Sequence, residues 1–129
     1  MRTFRLKKIV RDGVFENMLE QGQEVDHRVL EDRELVLALK YKIAEEVMEV
    51  DPDKPDALKE VSDTYTALDA LTKLLGSTRE EVDRLAEERY ASAGGFEQGI
   101  YVETVALQDD DPWIAYYSSD PVKYPEVEG

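Results

Sequence analysis

The chain has 129 residues, of which 42 % are hydrophobic and 36 % are charged, and this composition predicts one globular domain. Its 30 acidic residues outnumber its 16 basic ones, and the formal net charge of -14 argues against a nucleic-acid partner or an anionic membrane surface. Cysteine is absent, which excludes disulfides and thiol nucleophiles, and no apolar run is long enough to span a bilayer, so we expect a cytoplasmic protein.

Helical periodicity predicts four helices, which follow a basic, extended opening. Gly22 is the expected stop of the first helix, and Asp32 is the expected N-cap of the second. The segment DPDKP separates the second helix from the third, because its two prolines cannot lie inside a helix. Thr78 with Glu81 predicts a capping box for the fourth. The predicted helices span residues 12–21, 32–50, 56–75 and 79–93.

The segments outside these helices are predicted to be extended. Residues 24–30 (EVDHRVL) alternate as a short strand does, and residues 99–107 (GIYVETVAL) carry the β-branched and aromatic side chains typical of strands. Residues 108–129 are too rich in proline for a helix and too aromatic for a free linker, which predicts an arm that packs on another surface. The predicted helical domain therefore covers residues 1–107, with 108–129 as its C-terminal arm.

Two acidic pairs lie in register with the apolar stripes of neighbouring helices. The stripe of the second helix begins with leucines and ends with acids, and that of the third begins with acids and becomes apolar. Because the proline-containing turn makes the helices antiparallel, the two acidic pairs should face each other. The predicted stripes are Leu35, Leu39, Lys42, Glu46 and Glu49, and Glu60, Asp63, Ala67, Ala70 and Leu74.

Carboxylates that converge at the edge of a core repel one another and resist desolvation unless a cation joins them. Oxygen ligands without His or Cys suit Mg²⁺ or Mn²⁺, and such ions serve phosphoryl chemistry. A solvated acidic face is the alternative interpretation, since 30 acidic residues produce many such pairs by chance. Geometry alone leaves both interpretations open.

Three motifs of the chain resemble a known family. Glu46-x-x-Glu49 followed by Glu60-x-x-Asp63 resembles the E-x-x-E…E-x-x-D signature of the MazG and phosphoribosyl-ATP pyrophosphohydrolase superfamily, and Glu45 matches its doubled glutamate. KIVRDGVFENM is similar to the N-terminal motif of a subgroup of short, stand-alone house-cleaning pyrophosphohydrolases. GGFEQGIYVE is similar to the C-terminal motif of the same subgroup. The resemblance implies a mainly α, all-α NTP pyrophosphohydrolase-like helical bundle that is completed by dimerisation, with short extended or β segments at its N- and C-terminal flanks.

The resemblance also implies an activity: Mg²⁺-dependent (or Mn²⁺-dependent) hydrolysis of a nucleoside triphosphate to a monophosphate and pyrophosphate, as house-cleaning of non-canonical or excess nucleotides. It implies a homodimer or a dimer of dimers, with neither nucleic acid nor membrane as a partner. Arg89 is a weaker candidate for phosphate binding. The site residues that the resemblance implies are Glu45 and Glu46 for catalysis, Glu46, Glu49, Glu60 and Asp63 for the metal, and Lys8, Arg11 and Lys42 for the substrate phosphates.

Departures from the subgroup pattern keep other interpretations open. Gly13 and Phe15 replace its usual Lys and Pro, and basic residues that commonly precede its double glycine are missing at positions 92 and 93. The alternatives are a hydrolase of phosphoribosyl-ATP or another diphosphate, and a non-catalytic acidic helical regulator. The cations have alternatives too: Lys42 could pair only with Glu46 at i+4, and Arg11 only with a neighbouring acid.

Overall fold

The computed structural model describes residues 1–128 and is mainly helical, as predicted. Within these residues no strand is present, so of the short extended or β segments predicted at 24–30 and 99–107 the β alternative is wrong. Propensity alone does not make a strand, because a strand also needs a partner for its backbone hydrogen bonds. The helices are α1 (Asp12–Glu20), α2 (Asp32–Met48), α3 (Ala57–Leu74), α4 (Arg79–Ala93) and α5 (Trp113–Ser118).

Local signals set most helix ends where the sequence predicts them. Gly22 follows α1 with φ 75° and Gly76 follows α3 with φ 76°, a left-handed conformation that costs glycine little. Thr78 Oγ1 accepts a hydrogen bond from the Glu81 backbone N–H at 3.3 Å, which is half of the predicted capping box. The Glu81 carboxylate accepts its hydrogen bond from Ser77 Oγ, at 3.4 Å.

The predicted N-cap of α2 is displaced by one residue. Asp32 is the first residue of the helix and has φ 50°, and Glu31 holds the extended N-cap position without a side-chain capping bond. The Glu31 carbonyl accepts the hydrogen bond of the Leu35 N–H at 3.3 Å. Because the N-cap is the residue whose carbonyl accepts the first bond of the helix, Glu31 takes that place.

The first compact unit, Met1–Ser92, is built on α2 and α3. Leu39 and Ala67 are its buried apolar side chains, and Glu46 is buried at the end of the same stripe of α2. Glu46 and Glu49 near the end of α2 lie against Glu60 near the start of α3, so the two helices are antiparallel, as predicted. The predicted stripe of α2 is confirmed as far as Glu46.

The apolar end of the predicted α3 stripe is wrong. Ala70 and Leu74 are exposed, and Leu71 is half-buried instead. With Glu46 level with Glu60 in an antiparallel pair, Leu74 lies level with the first residue of α2, where no further turn of that helix covers it. Position 71 follows Ala67 by four residues and stays on the covered face.

The second compact unit begins at Ala93 and contains α5. The prediction that residues 108–129 are too proline-rich for a helix is wrong, because the prolines flank α5 and do not interrupt it. Pro112 is its N-cap with φ -63°, and Pro121 follows the C-cap. Proline is compatible with a helix start because its fixed φ is already helical and it has no N–H to satisfy.

Aromatic rings hold this second unit together. The rings of Trp113, Tyr116, Tyr117 and Tyr124 contact one another in edge-on and tilted arrangements, with centroid distances between 5.1 and 6.4 Å. The arm therefore packs on itself. The two compact units are defined by the contacts within each of them. The division into a helical domain of residues 1–107 and a C-terminal arm from residue 108 stays a prediction. None of the helices within residues 1–128 combines the length and the hydropathy that a membrane crossing requires.

Candidate metal centre

Three acidic side chains converge where α2 ends and α3 begins. Glu46, Glu49 and Glu60 each offer one carboxylate oxygen, and these oxygens lie within 4.8 Å of one another. Glu46 is buried, Glu60 is half-buried and Glu49 is exposed. The convergence follows from the antiparallel pair: the acids occupy the last turn of one helix and the first turn of the next, on either side of the proline-containing connection.

Asp63, the fourth predicted metal ligand, lies one turn beyond Glu60 and has a different partner. Its Oδ1 accepts a hydrogen bond from Arg11 Nη2 at 2.9 Å. Arg11 is the N-cap residue of α1, so the basic opening of the chain reaches the start of α3 across 52 positions of sequence. The predicted four-acid set is therefore a group of three with a neighbouring Arg11–Asp63 ion pair.

Two lysines bind the carboxylates on the other side of the group. Lys42 Nζ lies 2.8 Å from Glu46 Oε1 and 3.3 Å from Glu45 Oε1. Lys8 Nζ lies 3.3 Å from the same Glu45 oxygen. All three predicted phosphate-binding residues thus lie at the site, where each is paired with a carboxylate. The i+4 pairing of Lys42 with Glu46 and the pairing of Arg11 with an acid, both considered from the sequence, are present.

The charges of the site are unevenly compensated. The hydrogen bond from Lys42 lowers the pKa of Glu46 and raises that of Lys42. Hydrogen bonds from Lys42 and Lys8 likewise lower the pKa of Glu45. By contrast, the hydrogen bond with Glu46, then burial and the charge of Glu49, raise the pKa of Glu60. Glu60 is therefore the member of the group of three whose ionised form the surroundings disfavour.

The donor set fits a hard divalent cation. Every donor is a carboxylate oxygen, which Mg²⁺ and Mn²⁺ prefer, and no nitrogen or sulfur is present to favour zinc. Five carboxylates face three cations at this end of the helix pair, which leaves two uncompensated negative charges. One divalent cation would neutralise this excess. The residues that provide these charges are Glu45, Glu46, Glu49, Glu60 and Asp63, with Lys8, Arg11 and Lys42.

An open groove of about 300 Å³ extends from the group of three towards the connection between α2 and α3. Four of its lining residues are acidic and one is basic, so it repels phosphate. The sequence predicts DPDKP as a helix breaker and does not predict this groove. The alternation of Asp with Pro and Lys beside a predicted metal ligand is the signal that indicates it. Its lining residues are Glu49, Asp51, Lys54, Asp56, Ala57 and Glu60.

The site has a direction, because its cations lie away from the groove. Lys42 precedes Glu46 by one turn of α2, and Arg11 binds Asp63 one turn beyond Glu60. The positively charged side of the group of three is therefore the side of Lys42 and Arg11. Arg89, the weaker candidate, lies on α4, and none of the ion pairs found within residues 1–128 joins it to this site.

The comparisons with known proteins add no relative of known function. The resemblance to the MazG superfamily therefore stays a prediction that rests on its three motifs. No family model, no curated protein and no solved structure matches this chain.

Proposed function

We propose that this protein is a Mg²⁺-dependent nucleoside-triphosphate pyrophosphohydrolase. The observation that carries the proposal is the convergence of Glu46, Glu49 and Glu60 from two helices, flanked by three cations from the first 42 residues. The carboxylates support the binding of a divalent metal ion, and the basic side chains support the binding of an anionic substrate. The nucleotide itself, and cleavage between its α- and β-phosphates, rest on the resemblance of the motifs.

The residues have separate roles in this proposal. Glu46, Glu49 and Glu60 hold the metal, together with Asp63. When bound, a divalent cation supplies neutralisation of phosphate charge and a more acidic water molecule. Hydrogen bonds from Lys42 and Lys8 lower the pKa of Glu45, which makes this carboxylate a weaker base. It therefore orients the attacking water rather than removing a proton from it.

Lys8, Arg11 and Lys42 bind the phosphate oxygens in this scheme. Water attacks the α-phosphorus, the bond between that phosphorus and the α–β bridging oxygen breaks, and pyrophosphate leaves. The products are a nucleoside monophosphate and pyrophosphate. Positioning and charge compensation are the main contributions that such a site makes to phosphoryl transfer.

Pyrophosphate release tests this function. The full chain is incubated with Mg²⁺ and a panel of canonical and modified nucleoside triphosphates, with phosphoribosyl-ATP included. Glu46→Gln and Asp63→Asn should each lower the rate by roughly 100-fold or more, because each removes a carboxylate that holds the metal. Glu87→Gln, an exposed acid of α4, is the matched control and should retain the wild-type rate.

The panel also separates the competing interpretations. Release from phosphoribosyl-ATP alone would assign the site to that substrate. No release from any compound, or equal rates in both site variants and the wild type, would contradict the enzyme and favour an acidic helical regulator whose ion pairs are structural.

We also infer that a second copy of the chain covers the outer face of α2. Leu37, Tyr41, Ala44 and Met48 advance by four, three and four positions and form an apolar stripe. Tyr41 is 71 % exposed and Met48 is 83 % exposed. Two copies that pack such stripes together form four-helix packing and bury surface that one α2–α3 pair leaves in water. A homodimer, or a dimer of dimers, is the assembly that this supports.

A further inference from the structure

Lys42 and Arg11 form ion pairs with two of the carboxylates that would bind the metal. Lys42 Nζ is bonded to Glu46 at 2.8 Å, and Arg11 Nη2 is bonded to Asp63 at 2.9 Å. Among residues 1–128, Glu49 and Glu60 belong to the metal group without forming an ion pair. Two of the four proposed ligands are therefore engaged by a competing positive charge, and two are not.

A divalent cation at this group repels both neighbouring cations. Like charges a few ångströms apart repel, and water screens this repulsion less at Lys42, whose side chain is 23 % exposed, than at Arg11, whose side chain is 51 % exposed. Lys42 and Arg11 must then move off their carboxylates, yet their helices keep them close. Lys8 shares the Glu45 oxygen with Lys42, both at 3.3 Å, so Glu45 keeps a partner when Lys42 leaves. The displaced side chains of Lys42 and Arg11 are then available to bind another anion.

A polyphosphate is an anion that carries several negative charges, but it cannot bind first. Without a metal, the five carboxylates leave the site two charges negative, and the adjoining groove is acidic as well. Phosphate oxygens are repelled until a divalent cation is present and Lys42 and Arg11 are free. Metal and polyphosphate thus each remove the obstacle to the other.

We propose that Lys42 and Arg11 exchange partners during binding, from Glu46 and Asp63 to the phosphates of the substrate, and that this exchange makes metal and polyphosphate bind cooperatively. The inference rests on the proposed metal site and adds a coupling to it: the free protein binds either ligand weakly and binds both together well. Because coupling of equilibria is reciprocal, each ligand strengthens the other by the same factor.

Titration of the full chain with Mn²⁺ tests the exchange. Mn²⁺ is followed by calorimetry or by its spin resonance, with and without imidodiphosphate, an analogue of pyrophosphate that is not hydrolysed; chelation of Mn²⁺ by imidodiphosphate is measured separately and subtracted. In the wild type, saturating imidodiphosphate should strengthen Mn²⁺ binding roughly tenfold or more, within the usual range of coupling between sites.

Lys42→Met should bind Mn²⁺ alone about three- to tenfold more tightly than the wild type, because the competing charge is gone. Its coupling factor with imidodiphosphate should fall towards one, because the cation that receives the phosphate is gone too. Lys40→Met, an exposed residue two positions earlier on α2, is the matched control and should change neither value.

Arg11→Met is a second variant, in a side chain that is 51 % exposed, and should act in the same direction. Mn²⁺ binding that Glu46→Gln abolishes but that both cation variants leave unchanged or weaken would overturn the exchange and leave the metal site standing. A wild type that binds Mn²⁺ no better than Glu46→Gln would remove the metal site, and the exchange with it.

Discussion

Glu60 carries the negative charge that the metal-free site tolerates least. Its carboxylate faces that of Glu46, whose own pKa is lowered because Lys42 donates a hydrogen bond to it. Lys42 pairs with Glu46 at 2.8 Å and not with Glu60, so the pKa of Glu46 falls. The hydrogen bond with Glu46, then burial and the charge of Glu49, raise the pKa of Glu60.

Replacing Glu60 should therefore stabilise the metal-free protein. A carboxyl group whose pKa is raised in the folded state favours folding below its ordinary pKa of 4.5, and that contribution disappears as the pH rises through the folded value. Glu60→Gln should melt at a higher temperature than the wild type at pH 7 to 8 in EDTA, and the difference should vanish as the pH falls towards 4.5. Thermal unfolding across this pH range measures it.

The same variant should lose stabilisation by Mg²⁺, because it lacks one ligand. Glu87→Gln on α4 removes a charge outside the site and should follow the wild type at every pH, with and without Mg²⁺. A Glu60→Gln protein that is less stable than the wild type at pH 7 in EDTA would show that the Glu60 charge is compensated.

At the scale of elements, the α2–α3 pair positions the site and has a small apolar core. Leu39 is 6 % exposed and Ala67 is 7 % exposed, and the remaining apolar side chains of the two helices are half-buried or exposed. Single buried side chains therefore matter more here than in a larger core. The convergence of Glu46 with Glu60 depends on this packing, because no hydrogen bond between the backbones of two helices holds their register.

Leu39→Ala should cost about 2–4 kcal/mol of unfolding free energy, because it leaves a cavity between α2 and α3 in addition to the lost transfer energy. Urea unfolding measures this value, and Mn²⁺ affinity should fall along with it. Leu19→Ala on α1, where the side chain is 50 % exposed, is the control and should cost well under half as much. Equal losses in the two variants would mean that Leu39 is not a core residue of the folded state.

At the scale of the whole molecule, the proposed assembly depends on the outer face of α2. The stripe of Leu37, Tyr41, Ala44 and Met48 lies on the exposed face of the helix whose other face carries Leu39 and Glu46. A second copy on this face would bury the stripe and pack against the side of α2 that lies opposite the metal group. Assembly would thereby stabilise the helix that carries Glu46 and Glu49.

Charges on that face should separate the copies. The wild type is expected to have twice the mass of one chain in size-exclusion chromatography with light scattering, at micromolar concentration. Tyr41→Glu with Met48→Glu should reduce it to the mass of one chain, because buried unpaired charges oppose association. Val122→Glu, at a residue 93 % exposed in the second compact unit, is the control and should keep the wild-type mass. A monomeric wild type, or a double variant with unchanged mass, would contradict this interface.

The sequence by itself determined the four long helices and the order of the acidic pairs along them. Periodicity, the prolines of residues 51–55 and the glycines at 22 and 76 act over a few positions, so their effect can be predicted without the fold. Local reasoning failed where backbone pairing or coverage by another element decides, as in the predicted β segments and at Leu74. It also misjudged the tail, where the prolines proved to bound a helix.

Only the tertiary structure decided which charges meet. Lys8 reaches Glu45 across 37 positions and Arg11 reaches Asp63 across 52, and nothing within a few residues of either cation specifies its partner. The packing of α2 on α3 and the path of the opening segment choose these pairs. Ion pairing depends on distances of 3 to 4 Å between side chains that are remote in sequence, and only the folded chain sets such distances.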